Sequence, residues 1–154
     1  MSEELMLEEE LNQLLEKAAG GQELPQFSTE TCNTLYAIAF NFYENRKYQE
    51  AVHFFRFLTV VDTFNRANWM GLGAAQQMNK EYEEAVDSYG FAALLNENDP
   101  FAHFHAAECF FAIGQHQKGN IALDSAETTS KGDKKFSQLL SRIALIRQTR
   151  TIKN

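Results

Sequence analysis

The sequence of 154 residues contains few helix-breaking residues, few cysteines and no long apolar segment. Its two prolines, Pro25 and Pro100, permit a fold made mainly of helices, because proline inside a helix removes a hydrogen bond. Cys32 and Cys109 have no CxxC spacing, which favours a reducing compartment. No apolar run of roughly 18 residues predicts a membrane span, and the N-terminal residues lack the basic and apolar regions of a secretory signal. We therefore expect a cytoplasmic protein that does not insert into membranes.

The sequence also lacks the short motifs that mark common enzyme classes. No GxSxG, HExxH, Walker or GxGxxG pattern occurs. His105 and Cys109 share one helical face, but a closed zinc site needs four ligands and no second pair is evident. His53, His103 and His116 are most simply interpreted as partly exposed helix residues. We expect no catalytic activity, no cofactor and no bound metal.

Four sets of positions recur at a spacing of 34 residues. The sets are Tyr48, Tyr82 and His116; Ala51, Ala85 and Gly119; Phe55, Tyr89 and Leu123; and Leu58, Ala92 and Ala126. A period of this length is typical of tetratricopeptide (TPR) repeats, in which helical hairpins stack into a solenoid with an extended concave surface. The sequence therefore predicts an all-α TPR solenoid of three repeats, whose default function is to bind another polypeptide.

The three repeats match the TPR pattern to different degrees. They begin near Cys32, Ala67 and Phe101, and the middle repeat matches best, with Trp69 among its packing residues. Gly119 stands in the third repeat where alanine is usual. Because glycine in mid-helix costs roughly 0.5–1 kcal/mol relative to alanine, we expect the third repeat to be the least stable.

The pattern divides the chain into three parts. We expect an N-terminal amphipathic helix and linker over residues 1–27, three repeats over 28–133, and a C-terminal capping helix with a basic tail over 134–154. The predicted repeat helices span about 29–45, 48–62, 66–79, 82–96, 100–113 and 116–130. Ser28 or Thr29 is expected to cap the first of these helices, and Asp99 with Pro100 suits the start of the fifth.

The N-terminal helix, predicted over residues 3–19, carries an apolar stripe among glutamates. The stripe consists of Leu7, Leu11, Leu14, Leu15 and Ala18. Gly20 and Gly21 end the helix and open a linker, so the stripe needs a surface to cover. It either folds back on the solenoid or packs against a second copy, and we expect Leu7, Leu11, Leu14 and Leu15 to mediate dimerisation.

The net charge of −7 is unevenly distributed. Residues 131–154 hold seven basic residues against Asp133 alone, a local charge of +6, so residues 1–130 carry −13. A basic tail suggests an anionic partner such as nucleic acid. We favour a solvated capping helix instead, because aromatic residues do not alternate with the tail's charges as base stacking would need.

The concave surface of the predicted solenoid is rich in aromatic residues. The first helix of each TPR hairpin lines that surface through positions 2, 5, 9 and 12 of the repeat. The residues expected to form the groove are Tyr36, Phe40, Tyr43, Met70, Ala74, Phe101, Phe104 and Phe111. Rigid aromatic side chains suit a peptide-binding groove because they bury much area at low entropic cost. Core packing is the alternative interpretation, above all for Phe101 and Phe111.

Three segments resemble a known family over about residues 10–130. They are Leu35-Tyr36-Ala37-Ile38-Ala39-Phe40-Asn41, Gly71-Leu72-Gly73-Ala74, and Phe104-His105-Ala106-Ala107-Glu108-Cys109 after Pro100. These segments are similar to those of the class II chaperones of bacterial type III secretion, which hold the translocator proteins.

This resemblance implies a function and partners. It implies a cytoplasmic chaperone that uses no ATP, dimerises through its N-terminal region and binds hydrophobic, pore-forming translocators before export. An extended N-terminal segment of the translocator would lie in the groove, and Tyr36, Phe40 and Tyr43 match the family's aromatic groove positions. Some family members also co-activate an AraC-type transcription regulator, which this sequence neither supports nor excludes.

Two other functions fit the sequence less well than that of a chaperone. A general TPR adaptor that docks a C-terminal carboxylate needs a clamp of Lys and Asn in its first repeat and basic residues in its third. The corresponding residues here are Tyr36, Phe40, Phe101 and His105, so the clamp is absent. An enzyme would rest on the unpaired histidines alone.

Overall fold

The computed structural model describes residues 3–153, and within that range the chain forms α-helices, one 3-10 segment and no β-strand. The elements are α1 (Glu3–Ala19), α2 (Thr29–Glu44), α3 (Tyr48–Val61), α4 (Arg66–Met78), α5 (Tyr82–Leu95), α6 (Pro100–Ala112), α7 (His116–Ser130), the 3-10 segment (Lys134–Phe136) and α8 (Ser137–Lys153). Each consecutive pair from α2 to α7 packs together, so these six helices form three stacked hairpins. The predicted all-α TPR solenoid is confirmed, and its helices end at or one residue before the predicted ends.

Polar side chains cap the first helix of every repeat. Ser28, Asn65 and Asp99 each accept a hydrogen bond from a backbone N–H in the first turn of α2, α4 and α6, at donor–acceptor distances of 2.8–3.1 Å. Pro100 occupies the first turn of α6, where its missing N–H leaves no bond unmade. These caps fix where each repeat begins.

A left-handed residue ends the first helix of every repeat. Arg46, Lys80 and Gly114 have φ angles of 62°, 64° and 77°, and they too are 34 residues apart. The residue after each one donates its N–H to a carbonyl in the last turn of the helix, as from Lys47 to Phe42 at 2.9 Å. This pairing is the Schellman motif, which satisfies the last carbonyls and turns the chain into the second helix.

Two glycines of α4 allow neighbouring helices to approach closely. A Cβ atom on Gly71 would lie 2.3 Å from the Phe55 ring of α3, and one on Gly73 would lie 2.8 Å from the Tyr89 ring of α5. Phe55 and Tyr89 are each 1% exposed, so a methyl group at either glycine would overlap a ring that is packed inside the protein. Gly119 serves the same purpose in the third repeat, since a Cβ atom there would lie 2.4 Å from the Phe111 ring. The expected cost of Gly119 is therefore offset by packing that alanine would prevent.

The N-terminal helix folds back on the solenoid, which is the first of the two arrangements that the sequence left open. α1 packs on α3, and Leu11 is only 4% exposed within the core of the first repeat. Leu7, Leu14 and Leu15 are partly buried against the same core. Leu11 is therefore occupied within its own chain, and it contacts a second copy only if α1 leaves the solenoid.

The C-terminal helix closes the other end of the core. Leu139 and Ile143 of α8 are buried against Phe104, Leu123 and Ala126.

Several charges of the basic tail hold α8 in place. Arg147 pairs with Asp124 and Glu127 of α7, and the guanidinium groups of Arg142 and Arg150 lie over the rings of Phe104 and Phe111. These arginines therefore help α8 to pack on α6 and α7 as a capping helix.

The glycine contacts lead to a test with a matched control. Gly71→Ala should lower the free energy of unfolding by about 1–3 kcal/mol, because the added methyl group overlaps the buried Phe55 ring. Gly90→Ala should raise it by roughly 0.5–1 kcal/mol, because Gly90 lies inside α5 with no atom within 4 Å of a Cβ position. Urea denaturation of both variants measures the difference. Equal effects of the two substitutions would contradict the close approach at Gly71.

Candidate functional site

A cavity of about 240 Å³ lies on the concave side of the first two repeats and reaches the third. It is lined by Tyr36, Phe40 and Tyr43 of α2, Phe55 of α3, Met70, Gly71 and Ala74 of α4, Tyr89 of α5 and His105 of α6. The structure thus brings together five of the eight residues that the sequence predicted for the groove. We call this cavity the groove.

One wall of the groove is a row of three aromatic rings on α2. The Phe40 ring lies 6.5 Å from the rings of both Tyr36 and Tyr43, measured between centroids. Phe40 is 45% exposed, whereas Leu35, Ala39 and Phe42 on the same helix are buried in the core. α2 therefore packs against its own chain with one apolar face and leaves a second apolar face open to the groove.

Phe55 and Tyr89 were not predicted as groove residues, because they lie on the second helices of their repeats. Their rings reach the groove across α4, where Gly71 and Gly73 carry no side chains to block them. The signal was present in the sequence, since Phe55 and Tyr89 belong to one of the sets spaced 34 residues apart.

The three phenylalanines predicted for the third-repeat wall do not line the groove. Phe104 has no exposed surface and belongs to the core between α6, α7 and α8, which corrects its expected position. Phe111 is partly buried between Gly119 and the guanidinium group of Arg150. Phe101 is 37% exposed, and its ring contacts the edge of Phe136 just before α8. The capping segment contacts all three rings, and the repeat pattern alone carries no information about that segment.

The third-repeat end of the groove is polar. The Tyr89 hydroxyl donates to Gln77 Oε1 at 2.8 Å, and Gln77 Nε2 donates to Glu108 Oε1 at 3.4 Å. His105 Nδ1 lies 2.6 Å from the same Glu108 oxygen. The groove therefore changes from apolar at α2 to hydrogen-bonding at α6.

Glu108 is the acceptor on which this chain of hydrogen bonds ends. Burial opposes its ionisation, but the hydrogen bond and charge of His105, the hydrogen bond from Gln77 and the positive charge of Arg142 outweigh it. The pKa of Glu108 therefore lies below its ordinary value, so the carboxylate form is favoured.

The His105/Cys109 pair offers little chemistry. Cys109 is fully buried, and burial together with the nearby Glu108 charge raises the pKa of its thiol to about 12. A thiol in that state is a poor nucleophile and a poor metal ligand. Within residues 3–153, no three His, Cys, Asp or Glu side chains that the structure describes are placed to share a metal ion. None of the helices described is both long and apolar enough to cross a bilayer.

Comparison with known proteins identifies relatives of both the sequence and the fold. The tetratricopeptide repeat family model matches residues 32–63 and 67–99. The low calcium response locus protein H of Yersinia pestis is 32% identical over 121 residues, which are 79% of this chain and 72% of that protein.

Solved structures of two proteins are similar to this chain over most of its length. SycD, the type III secretion chaperone of Yersinia enterocolitica, was solved with a peptide of the translocator YopD. It is 31% identical to this chain and has a TM-score of 0.77, and the alignment covers 82% of this chain and 96% of SycD. A second SycD structure is described as an alternative dimer. PcrH of Pseudomonas aeruginosa, solved with the chaperone-binding region of PopD, is 30% identical with a TM-score of 0.79 over 85% and 98% of the two chains.

The lowered pKa of Glu108 makes the stability of the fold depend on pH. The ionised carboxylate stabilises the folded chain fully above the ordinary glutamate pKa of 4.5, and this contribution is lost as the pH falls through the lower folded value. The stability advantage of the wild-type chain over Glu108→Gln should therefore be larger near pH 6 than near about pH 3.5. Urea denaturation at both pH values measures it. A difference that does not change with pH would show that folding does not favour the ionised form of Glu108.

Proposed function

The chain belongs to the class II chaperones of type III secretion translocators, and on that premise we propose that its groove binds an extended apolar segment of a translocator. The observation that carries this proposal is the second apolar face of α2. Tyr36, Phe40 and Tyr43 form a continuous row there, and nearly half of the Phe40 surface stays in contact with water. An aromatic row opposite Met70 and Ala74 offers a place for apolar anchors of a bound segment.

The proposed mechanism is masking. A membrane-active protein exposes apolar surface in water, and such surface drives aggregation. Covering the segment that docks in the groove would keep the bound translocator, here called the client, soluble and separate from its partners until export. Binding and releasing the client needs no chemical step, and the relatives of this chain are likewise chaperones. We propose accordingly that the chain is not an enzyme and acts in the bacterial cytoplasm.

The parts of the chain have separate roles in this proposal. The three repeats over residues 28–133 would provide the groove, the capping helix and basic tail over 134–154 would close the core, and residues 1–27 would serve dimerisation. Among the predicted groove residues, Tyr36, Phe40, Tyr43, Met70 and Ala74 are those we assign to client contact.

The general adaptor remains the alternative function, but the lining of the groove argues against it. A carboxylate clamp requires lysine or arginine side chains that point at the ligand. The nine residues that line the groove include no lysine or arginine. Glu108 beside His105 would in addition repel a bound carboxylate.

The decisive test of the groove compares two aromatic residues. Phe40→Ala should weaken binding of the PopD chaperone-binding region or the YopD peptide by roughly 30- to 1000-fold, because truncating a buried interface aromatic commonly costs about 2–4 kcal/mol. It should change the melting temperature little, since Phe40 lies beside the core rather than in it. Fluorescence anisotropy and thermal melting give the two readouts.

Trp69→Ala is the matched control. The Trp69 ring stacks on Phe91 at 4.3 Å, its Nε1 donates to the Thr63 carbonyl at 2.6 Å, and it lies outside the groove lining. This substitution should lower the melting temperature more than Phe40→Ala does. If Phe40→Ala lowers the melting temperature as much and the peptide still binds normally, Phe40 is a core residue and the proposed groove is wrong.

Self-association is a second part of the proposal. We assign it to α1, whose Leu7, Leu14 and Leu15 are only partly covered by the chain itself. Deleting residues 1–20 should convert a dimer to a monomer in sedimentation velocity and should also lower the melting temperature, because Leu11 leaves the core.

Leu11→Ala in the full chain separates these two effects. It should lower the free energy of unfolding by about 2–4 kcal/mol without changing the association state. A truncated chain that still sediments as a dimer would place the interface elsewhere.

A further inference from the structure

His105 is held in one orientation at the polar end of the groove. Its ring lies nearly parallel to those of Tyr89 and Phe101, at centroid distances of 5.5 and 6.5 Å, and Phe104 meets its edge at 5.4 Å. The hydrogen bond to Glu108 adds a fixed polar contact. A ring confined in this way presents the same atoms to whatever enters the groove.

The partner of His105 also determines which ring nitrogen carries a hydrogen atom. An ionised carboxylate can only accept hydrogen bonds, so Nδ1, 2.6 Å from Glu108 Oε1, must be the donor. Nε2 is then the nitrogen left for another partner. It has no hydrogen bond to the part of the chain that the structure describes and is not one of the buried unpaired atoms, so it reaches water.

The size of the groove suits the spaced apolar anchors of an extended client segment. A cavity of about 240 Å³ accommodates one or two apolar side chains. An extended segment makes no backbone hydrogen bonds of its own, so covering it leaves its N–H and C=O groups in need of partners. The hydroxyl of Tyr89 already donates to Gln77, and the hydroxyls of Tyr36 and Tyr43 can rotate. Among the polar groups that line the groove, His105 Nε2 is therefore the one that is both fixed and available.

We propose that His105 Nε2 hydrogen-bonds to one backbone amide of the extended client segment and thereby fixes its register in the groove, with Glu108 as the residue that positions the ring. With its hydrogen on Nδ1, the neutral ring accepts a backbone N–H at Nε2, and an extended chain offers an N–H at every residue except proline. This inference rests on the proposed function and adds a polar contact that apolar anchors alone would not supply.

The first test measures affinity for the PopD chaperone-binding region and the YopD peptide. His105→Phe keeps the ring and its stacking but removes Nε2, so it should weaken binding roughly 5- to 30-fold, the effect of leaving one buried polar group unpaired. His105→Gln places an amide near the position of Nε2 and should recover part of that loss. His103→Phe is the control, because His103 lies on the same helix beside a different cleft with Val86 and Leu94. It should leave the affinity unchanged.

The second test identifies the backbone amide. At one position along each peptide, methylation of the backbone nitrogen should weaken binding to the wild-type chain but should not weaken binding to His105→Phe further.

A Glu108→Gln variant tests the orientation of the ring. Its side-chain amide can donate a hydrogen bond to Nδ1, and ¹⁵N NMR should then detect a change in the His105 tautomer. Both results depend on the hydrogen bond and not on general stability.

The outcomes separate this inference from the proposed function. If neither peptide binds the wild-type chain, the proposed function and this inference both fail. If the peptides bind and Phe40→Ala lowers their affinity, but His105→Phe binds them as the wild type does, the proposed groove is supported and the role of His105 is overturned. The same conclusion follows if no N-methyl position is coupled to His105.

Discussion

The contact between two aromatic rings and two glycines of α4 determines both the stacking of the repeats and the shape of the groove. The Phe55 ring lies against Gly71 and the Tyr89 ring against Gly73, each where a Cβ atom would overlap it. The absence of side chains lets α3 and α5 approach α4 closely. It also brings both rings to the edge of the groove, whose lining they share with Met70 and Ala74. The stability of the fold and the proposed binding surface therefore depend on the same contact.

The third repeat uses the same kind of contact for a different purpose. The Phe111 ring lies against Gly119, but it belongs to the first helix of its hairpin, and Arg150 of α8 covers its other side. Phe104 is enclosed by Leu123, Leu139 and Ile143 in the same region. The last repeat of a solenoid has no following repeat to bury its apolar surface, so a capping helix takes that role. Aromatic residues that look like groove residues by position are here the surface on which the cap packs.

The sequence predicted the helices closely because their ends are set by local interactions. Ser28, Asn65 and Asp99 start helices through their own side chains, and the left-handed turn at Arg46, Lys80 and Gly114 repeats with the period of the fold. The aromatic row of α2 was also predictable, because its spacing places it opposite a buried stripe. Phe104 was misplaced because its environment depends on α8, which lies outside the repeat pattern. The position of Leu11 could not be predicted for a similar reason. An amphipathic pattern indicates that the apolar face is covered, but it does not indicate whether the covering surface belongs to the same chain.

The polar end of the groove gives it a direction that an apolar surface alone would lack. Tyr89 donates a hydrogen bond to Gln77, and Gln77 and His105 both donate to Glu108. The carboxylate therefore has its hydrogen-bond partners before anything binds. An occupant with its apolar anchors at α2 removes water from Phe40 at little cost. An apolar group at the α6 end would instead strip water from His105 Nε2 without replacing it, and unpaired buried polar groups are costly. An extended segment that places an apolar side chain at α6 is therefore disfavoured, even if its contacts at α2 are equally good. If the client binds there as proposed, the contrast between the two ends lets a largely apolar groove distinguish one placement of the client from another.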